Sequence, residues 1–238
     1  METKQLNINV NGQDHLISFR TDTSDIRVIK QIFEEQHYNI NRLNRAADIT
    51  AVYERIKAQG KLPVILDLGA NIGASSLYFH WLWPDARVVA VEPAKDNFDF
   101  LRENTKAYEN IVPVYAAVAS TDGYSSIKND GVEKWAYQTE INAGSDGTDL
   151  AARSIQSLMA GTENGMPFIC KIDIEGAESE LFSADTDWVG TFPLLAIELH
   201  DWMLPKQGAS KNFLQVHATL DRDIILVGEN LFSISNLI

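Results

Sequence analysis

The chain reads VILDLGANIG over residues 64–73, and this stretch is the clearest indication of the fold. Its first residues form a short apolar strand, and Gly69 and Gly73 then allow a tight turn into a helix. In doubly wound sheets the first strand-to-helix turn binds the ligand, because backbone N–H groups and a helix N-terminus converge there. Asn71 stands where a third glycine could be, and we expect it to adopt the left-handed conformation that asparagine tolerates better than most residues.

The same turn argues against a dinucleotide ligand. Its spacing is not G-x-G-x-x-G, so an NAD-linked oxidoreductase of this architecture stays only as an alternative. The carboxylate of Asp67 at the strand end would repel a pyrophosphate, but it suits a ligand that carries cationic sulfonium and ammonium groups. We therefore predict a binding turn for such a ligand, made of Asp67, Gly69, Ala70, Asn71 and Gly73.

Apolar segments alternate with helical patterns from residue 60 onward. This alternation predicts an α/β fold, in which a mostly parallel sheet is covered by helices on both faces and a closing hairpin adds an antiparallel strand at one edge. The strands are predicted at residues 64–66, 87–91, 111–118, 168–174 and 194–199, and the hairpin at 224–227 and 231–234.

Two regions stand apart from this alternation. Residues 1–59 predict a small hairpin with an Asn11-Gly12 turn and then two helices, and we expect them to form a cap beside a binding domain at residues 60–238. Residues 120–165 are rich in turn residues and are predicted to be irregular, and a long loop inside an α/β domain is more often functional than accidental. We expect both regions to select the substrate.

The composition is that of an ordinary globular protein, with 45% hydrophobic and 22% charged residues. No stretch approaches the roughly 18 uninterrupted apolar residues of a membrane span, and Cys170 is the lone cysteine, so we expect a cytoplasmic protein without disulfides. The formal net charge of −13 repels phosphate backbones, so nucleic acid is not the expected partner. A small-molecule or carbohydrate substrate fits this charge, and the oligomeric state is left open.

Acidic residues mark the carboxyl ends of the later strands. Glu92 follows the glycine turn by about 20 residues, the offset at which a carboxylate accepts hydrogen bonds from ribose hydroxyls. Residues 171–178 read KIDIEGAE at the end of the fourth strand, and Asp173 is placed to point into the crevice. Glu175 and Glu178 have a second interpretation, since carboxylates also favour the N-terminus of a following helix.

His200 follows the fifth strand and reaches the same edge. Its ordinary pKa suits a general base near neutral pH, so His200 is the leading candidate to take a proton, with Asp173 or Glu175 behind it. Asp173, Glu198, His200 and Asp201 would also serve as ligands for a divalent metal. Because their spacing matches no fixed metal motif, the metal is an alternative that we do not favour, and no metal ligand is assigned.

Residues 65–73, the run Val91-Glu92-Pro93 and above all KIDIEGAE at 171–178 resemble the FkbM-type family of methyltransferases. The resemblance spans residues 64–200 and implies a class I, Rossmann-like fold. It also implies S-adenosylmethionine (SAM) as the methyl donor and transfer to a hydroxyl oxygen of a sugar, a polyketide or another small molecule. A SAM-binding protein without catalytic activity stays a further alternative.

The resemblance implies, in addition, which residues surround SAM. The methionine part lies at the glycine turn, the ribose at the end of the second strand and the adenine at the end of the third. No acidic residue stands at the adenine position, so backbone groups would have to recognise that ring. In that order the residues are Gly69, Asn71 and Gly73, then Glu92 with Pro93, then Ala117 with Val118.

Overall fold

The computed structural model describes residues 2–10, 12–128, 138–142 and 150–238. Strands and helices alternate through most of this length. The strands are β1 (Thr3–Val10), β2 (Gln13–Arg20), β3 (Leu62–Leu68), β4 (Arg87–Glu92), β5 (Ile111–Tyr115), β6 (Ala117–Val118), β7 (Gly123–Lys128), β8 (Gln138–Asn142), β9 (Leu150–Arg153), β10 (Gly165–Ile172), β11 (Leu194–Glu198), β12 (Arg222–Val227) and β13 (Asn230–Ser235). The α-helices are α1 (Asp25–Phe33), α2 (Ala46–Ala58), α3 (Ala74–Leu82), α4 (Lys95–Thr105), α5 (Ile155–Ala160), α6 (Glu178–Leu181) and α7 (Lys211–His217).

The central sheet has seven strands in the order β12-β13-β11-β10-β3-β4-β5. The five strands from β11 to β5 run parallel, whereas β13 pairs antiparallel with both of its neighbours, β11 and β12. These pairings confirm the prediction of a mostly parallel sheet with an antiparallel hairpin. The hairpin consists of β12 and β13, and its second strand, β13, lies between β12 and β11. The antiparallel strand is therefore the second strand from the edge, and the edge strand β12 runs parallel to β11.

Successive residues of the central strands contribute to two separate hydrophobic clusters. Ile65 and Val88 lie in one cluster, and their neighbours Leu66 and Val89 lie in the other. Because successive strand residues point to opposite faces, this division means that both faces of the sheet are covered, α3 contributing to the first cluster and α7 to the second. Within the described residues, no helix combines the length and the apolar character that crossing a bilayer requires.

The N-terminal segment packs on one face of the central sheet. β1 and β2 pair as the predicted hairpin, and Asn11 of the predicted turn lies outside the described residues. Ile29 of α1 and Ile49 of α2 are buried in the same cluster as Ile65. The segment therefore shares a core with the sheet, and its division from the rest of the chain after residue 59 stays a prediction.

The described part of residues 120–165 is more regular than predicted. β7, β8 and β9 form a second sheet with β6 in the order β6-β9-β7-β8, and α5 follows. The prediction of an irregular stretch is wrong here, because the turn residues conceal short strands; residues 129–137 and 143–149 lie outside the described residues. The predicted third strand also divides at Ala116, where β5 stays in the central sheet and β6 joins the second one.

Candidate active site

The turn between β3 and α3 has three residues in the left-handed conformation. Gly69, Asn71 and Gly73 have φ values of +78°, +51° and +89°, so the prediction for Asn71 is confirmed. A Cβ atom on Gly69 would lie 1.8 Å from the carbonyl oxygen of Asp173. Glycine is therefore required here, because the turn after β3 presses directly against the backbone at the end of β10.

The backbone N–H groups of this turn are largely occupied within the protein. Those of Gly69 and Ala70 both donate to the carbonyl oxygen of Val91, at 3.0 and 2.9 Å, and that of Asn71 donates to the Glu92 carboxylate at 2.8 Å. The expectation that these three groups are free donors for a ligand is therefore wrong. The turn offers an acceptor instead, since the side-chain Oδ1 of Asn71 is buried without a hydrogen-bond partner among the described residues.

Glu92 is a buried carboxylate and not a solvated strand end, since its exposed fraction is 4%. Its Oε2 accepts the Asn71 N–H, and its Oε1 accepts the N–H of Ala94 at 2.9 Å because the intervening Pro93 has none. Burial raises the pKa of Glu92 to about 7, although these hydrogen bonds act to lower it. The Asn97 amide also donates to Oε1, over a long 3.4 Å that a ligand hydroxyl would replace, and Oε2 has a second lone pair, so Glu92 retains capacity to accept from a ligand.

Asp67 is fully buried at the end of β3. The hydroxyls of Ser75 and Ser76 donate to its Oδ2, and the Lys171 ammonium lies 3.2 Å from its Oδ1. This arrangement contradicts the expectation that Asp67 offers its charge to a ligand, because Lys171 already offsets that charge inside the protein.

Lys171 is a buried charged residue of this edge whose contacts sequence reasoning missed. It is 2% exposed, donates to the carbonyl oxygen of Gly69 at 2.7 Å and lies 3.7 Å from Oδ2 of Asp173. Burial lowers its pKa, but the charge of Asp67 and the other nearby groups outweigh burial and raise it, so the ammonium stays charged. The sequence does contain a signal for this pairing. Lys171 stands inside the apolar run of β10, and a buried charge without an opposite charge nearby is not tolerated there.

The end of β10 turns sharply through Glu175 and Gly176, whose φ values are +50° and +101°. A left-handed glutamate is uncommon and concentrates at functional sites. Burial raises the pKa of Glu175 to about 8, and the negative charges of Asp173 and Glu92 act in the same direction. The Glu175 carboxyl is therefore close enough to interact with the charge of Glu92, which binds the glycine turn, and with that of Asp173 at the end of β10.

His200 completes a cluster at this edge. Its Nδ1 lies 2.7 Å from Oε1 of Glu178, which is fully buried, and its Nε2 lies 3.6 Å from Oδ1 of Asp173 and 3.5 Å from Oε1 of Glu198. Sequence reasoning left two interpretations for Glu178, a carboxylate at the crevice edge or a residue of the helix start. It is the first residue of α6, but its carboxylate holds the imidazole of His200.

The charges of this cluster change what His200 can do. Burial lowers the pKa of His200, but the hydrogen bond and charge of Glu178, followed by the charges of Asp173 and Glu198, outweigh burial and raise it to about 9. A protonated imidazole has no lone pair to accept a proton, so this charge state speaks against His200 as a general base near neutral pH. Burial, with the charge of Asp173, also raises the pKa of Glu198 to about 7.

The remaining predicted residues lie further from the cluster. Asp201 turns its carboxylate oxygens toward the backbone N–H of Ser210, at 3.2 and 3.4 Å, and does not join Asp173. Ala117 and Val118 are both buried in β6.

Tyr38 of the N-terminal segment reaches the site without any signal in the sequence. It is 5% exposed, and its ring packs against Phe79 with 5.6 Å between the ring centroids. Burial raises the pKa of its hydroxyl, and the charges of Lys171 and Asp173 act on it in opposite directions. The N-terminal segment thus supplies a buried hydroxyl within electrostatic reach of this edge.

The strand order, the glycine turn after β3 and the polar edge formed by β10 and β11 together define a class I methyltransferase fold. The family model described as Methyltransferase FkbM domain matches residues 67–225. The chain therefore belongs to the FkbM methyltransferase family, as the resemblance of its motifs indicated.

Several known proteins are similar to this chain. A hexuronic acid methyltransferase, AglP, from Haloferax volcanii is 27% identical over 144 residues, which are 60% of this chain and 58% of that relative's length. A precorrin-6y C5,15-methyltransferase from Geobacter metallireducens has a TM-score of 0.39 at 14% identity, covering 81% of this chain and 88% of its own. An O-methyltransferase from Bacillus cereus, in complex with S-adenosylhomocysteine (SAH), has a TM-score of 0.40 at 12% identity. The match covers 90% of this chain and 93% of that one.

Proposed function

We propose that the protein is a SAM-dependent methyltransferase that methylates a hydroxyl oxygen of a sugar or another small molecule. One observation carries the proposal within this family: Gly69 lies against the Asp173 carbonyl, so the glycine turn and the polar edge of β10 and β11 adjoin. A cofactor held at the turn and an acceptor held at the edge would therefore meet. An NAD-linked oxidoreductase is disfavoured by the family and by Asn71 in place of a glycine.

The groups present at the turn fit SAM. The unpartnered Oδ1 of Asn71 suits the ammonium of its methionine part, and the remaining lone pairs of Glu92 suit its ribose hydroxyls. Gly69, Ala70 and Gly73 would shape the wall of this pocket. We propose that Ala117 and Val118 border the adenine through backbone groups, and that Pro93 fixes the chain direction after Glu92.

When bound, SAM supplies an electrophilic methyl group on a sulfonium, so that a C–S bond breaks while a C–O bond forms. The chain's own task is to hold the acceptor oxygen in line and to receive its proton, and alignment of this kind accounts for much of an enzyme's acceleration. We propose that Asp173 and His200 hold the acceptor. We propose Glu175 in its ionised form as the proton acceptor, so that transfer should be fastest above its pKa of about 8, which the charges of Asp173 and Glu92 help to raise.

The acceptor belongs to the proposal. The relative from Haloferax volcanii is named for a hexuronic acid, which favours a carbohydrate here. The buried Tyr38, on which the charges of Lys171 and Asp173 act, supports the view that residues 1–59 help to select this acceptor, and we propose the same for residues 120–165. The buried thiol of Cys170 is compatible with the reducing cytoplasm that we propose as the compartment.

A transfer assay tests this function. The protein is incubated with methyl-labelled SAM and matched pairs of hexuronic acids and neutral hexoses, and SAH and labelled product are measured by mass spectrometry. We expect label in a sugar, with SAH formed in equal amount. SAH that never exceeds the protein-free control with any acceptor, in a protein that binds SAM, would instead support a catalytically inactive SAM-binding protein.

Glu92→Gln is expected to weaken SAH binding by about tenfold or more, because charge-assisted hydrogen bonds to two ribose hydroxyls are lost. Isothermal titration calorimetry measures the affinity, and thermal unfolding checks that the turn still folds. The matched control is Glu35→Gln on the surface, which should leave the affinity unchanged. A change below about twofold in a folded Glu92→Gln variant would remove Glu92 from the cofactor site.

A further inference from the structure

Three side chains at the polar edge lie close enough to share one metal ion. A carboxylate oxygen of Asp173, a carboxylate oxygen of Glu198 and an imidazole nitrogen of His200 all lie within 4.8 Å of one another. We propose that these residues bind a divalent cation that holds the oxygens of the acceptor. The inference rests on the proposed function for its purpose, but the cation site itself can be tested without any methyl transfer.

The distances within this cluster fit one ion. The Nε2 of His200 lies 3.6 Å from Oδ1 of Asp173 and 3.5 Å from Oε1 of Glu198. Ligands about 2.1 Å from a shared metal are separated by about 3.0 Å at right angles and about 3.4 Å in a tetrahedron. The two distances to Nε2 therefore need to shorten by only a few tenths of an ångström, and the carboxylate oxygens of Asp173 and Glu198 lie within 4.8 Å of each other.

His200 distinguishes this cluster from a group of acidic residues. Its side chain is buried, and its Nδ1 is held by Glu178, which leaves Nε2 turned toward the two carboxylates. Within the described residues, Nε2 has no hydrogen bond of its own. A carboxylate that holds the second nitrogen of a histidine is the usual support for a metal-ligating imidazole, and the ion would take the place of the Nε2 proton, which binding releases.

The surrounding charges also favour a cation. Lys171 lies beside Oδ2 of Asp173, and Oδ1 of the same carboxylate faces His200. Lys171 is thus already engaged by Asp67 and does not cover the oxygen that the ion would use. Carboxyl groups outnumber cationic groups among the described residues of this edge, and the carboxyl groups are Asp67, Asp173, Glu175, Glu178 and Glu198.

The donor set indicates the kind of ion. Two carboxylates with one imidazole suit a first-row divalent cation such as Mn²⁺ better than Ca²⁺, which takes oxygen ligands alone. Three protein ligands leave coordination positions open for a substrate. Neighbouring hydroxyls or a carboxylate of a sugar acid would occupy them, and the ion would polarise the hydroxyl oxygen that attacks the methyl group.

Manganese binding is the direct test. The protein of residues 1–238 is stripped with a chelator and titrated with Mn²⁺, and free Mn²⁺ is followed by electron paramagnetic resonance. We expect one bound Mn²⁺ per chain, loss of binding in Asp173→Asn and in Glu198→Gln, and roughly 10–100-fold weaker binding in Glu178→Gln. Glu35→Gln is the control. Glu35 is an exposed carboxylate 3.0 Å from His37, so this variant should bind Mn²⁺ as the wild type does.

Circular dichroism and thermal unfolding establish whether each variant is folded. If a variant does not fold, the wild-type titration still shows whether the protein binds the cation. Absence of wild-type binding at millimolar Mn²⁺ and Zn²⁺ would overturn the inference, as would full binding in folded Asp173→Asn and Glu198→Gln. The two proposals fail separately. Methyl transfer at full rate by protein that takes up no metal overturns only the cation site, whereas metal uptake without methyl transfer leaves the cation site standing.

Discussion

Gly69→Ala is expected to abolish SAH binding and to lower the free energy of unfolding by about 3 kcal/mol or more. The added Cβ would lie 1.8 Å from the carbonyl oxygen of Asp173, and the φ of +78° already disfavours a side chain. The backbone must shift, so the glycine turn and the polar edge are disturbed together. Calorimetry with SAH and urea unfolding measure the two effects.

Gly60→Ala is the matched control for the backbone conformation. Gly60 has a φ of +68°, but a Cβ there meets nothing within 4 Å. We expect a loss of only about 1 kcal/mol and unchanged SAH affinity. If Gly69→Ala behaves like Gly60→Ala in both measurements, the contact between the turn and Asp173 does not organise the site.

His200→Ala is expected to lower kcat by roughly 10²-fold or more while the affinity for SAH changes little, because the acceptor loses a group that positions it. The imidazole lies beside Asp173 and Glu198 at the polar edge, where we propose that the acceptor binds, and not at the glycine turn, where we propose that the cofactor binds. The rate is measured with the sugar acceptor that the labelled panel identifies. Full activity in a folded His200→Ala variant would move the chemistry away from this edge.

A double variant separates catalysis from folding at this position. His200→Ala leaves Glu178 buried without its partner, and an uncompensated buried charge destabilises a protein by about 3–5 kcal/mol. Adding Glu178→Gln removes that charge, so most of the unfolding free energy should return while the activity does not. Activity that returns together with stability would mean that His200 only supports the fold.

Much of the fold could be predicted from the sequence because its signals are local. The apolar strand before Gly69 and the alternation of strands and helices predict a parallel sheet covered on both faces. The left-handed Asn71 follows from its own chemistry. The short strands between residues 120 and 165 were missed, since turn residues surround them and their partners are distant in sequence.

The interior of the site could not be predicted, because it depends on how strands align. Lys171 lies opposite Asp67 in the parallel register of β10 and β3, and only this register shows that the carboxylate is neutralised. The contact of Glu178 with His200 likewise depends on how α6 lies against the end of β11. Sequence patterns give the ends of strands, but they do not give the pairing between them.

Binding of SAM at the turn after β3 is tested directly by calorimetric titration of the wild-type protein with SAH and, in parallel, with NAD. We expect saturable binding of one SAH per chain in the micromolar range and no binding of NAD at the same concentrations. Binding of NAD without binding of SAH would contradict this expectation, because the turn after β3 would then hold a dinucleotide.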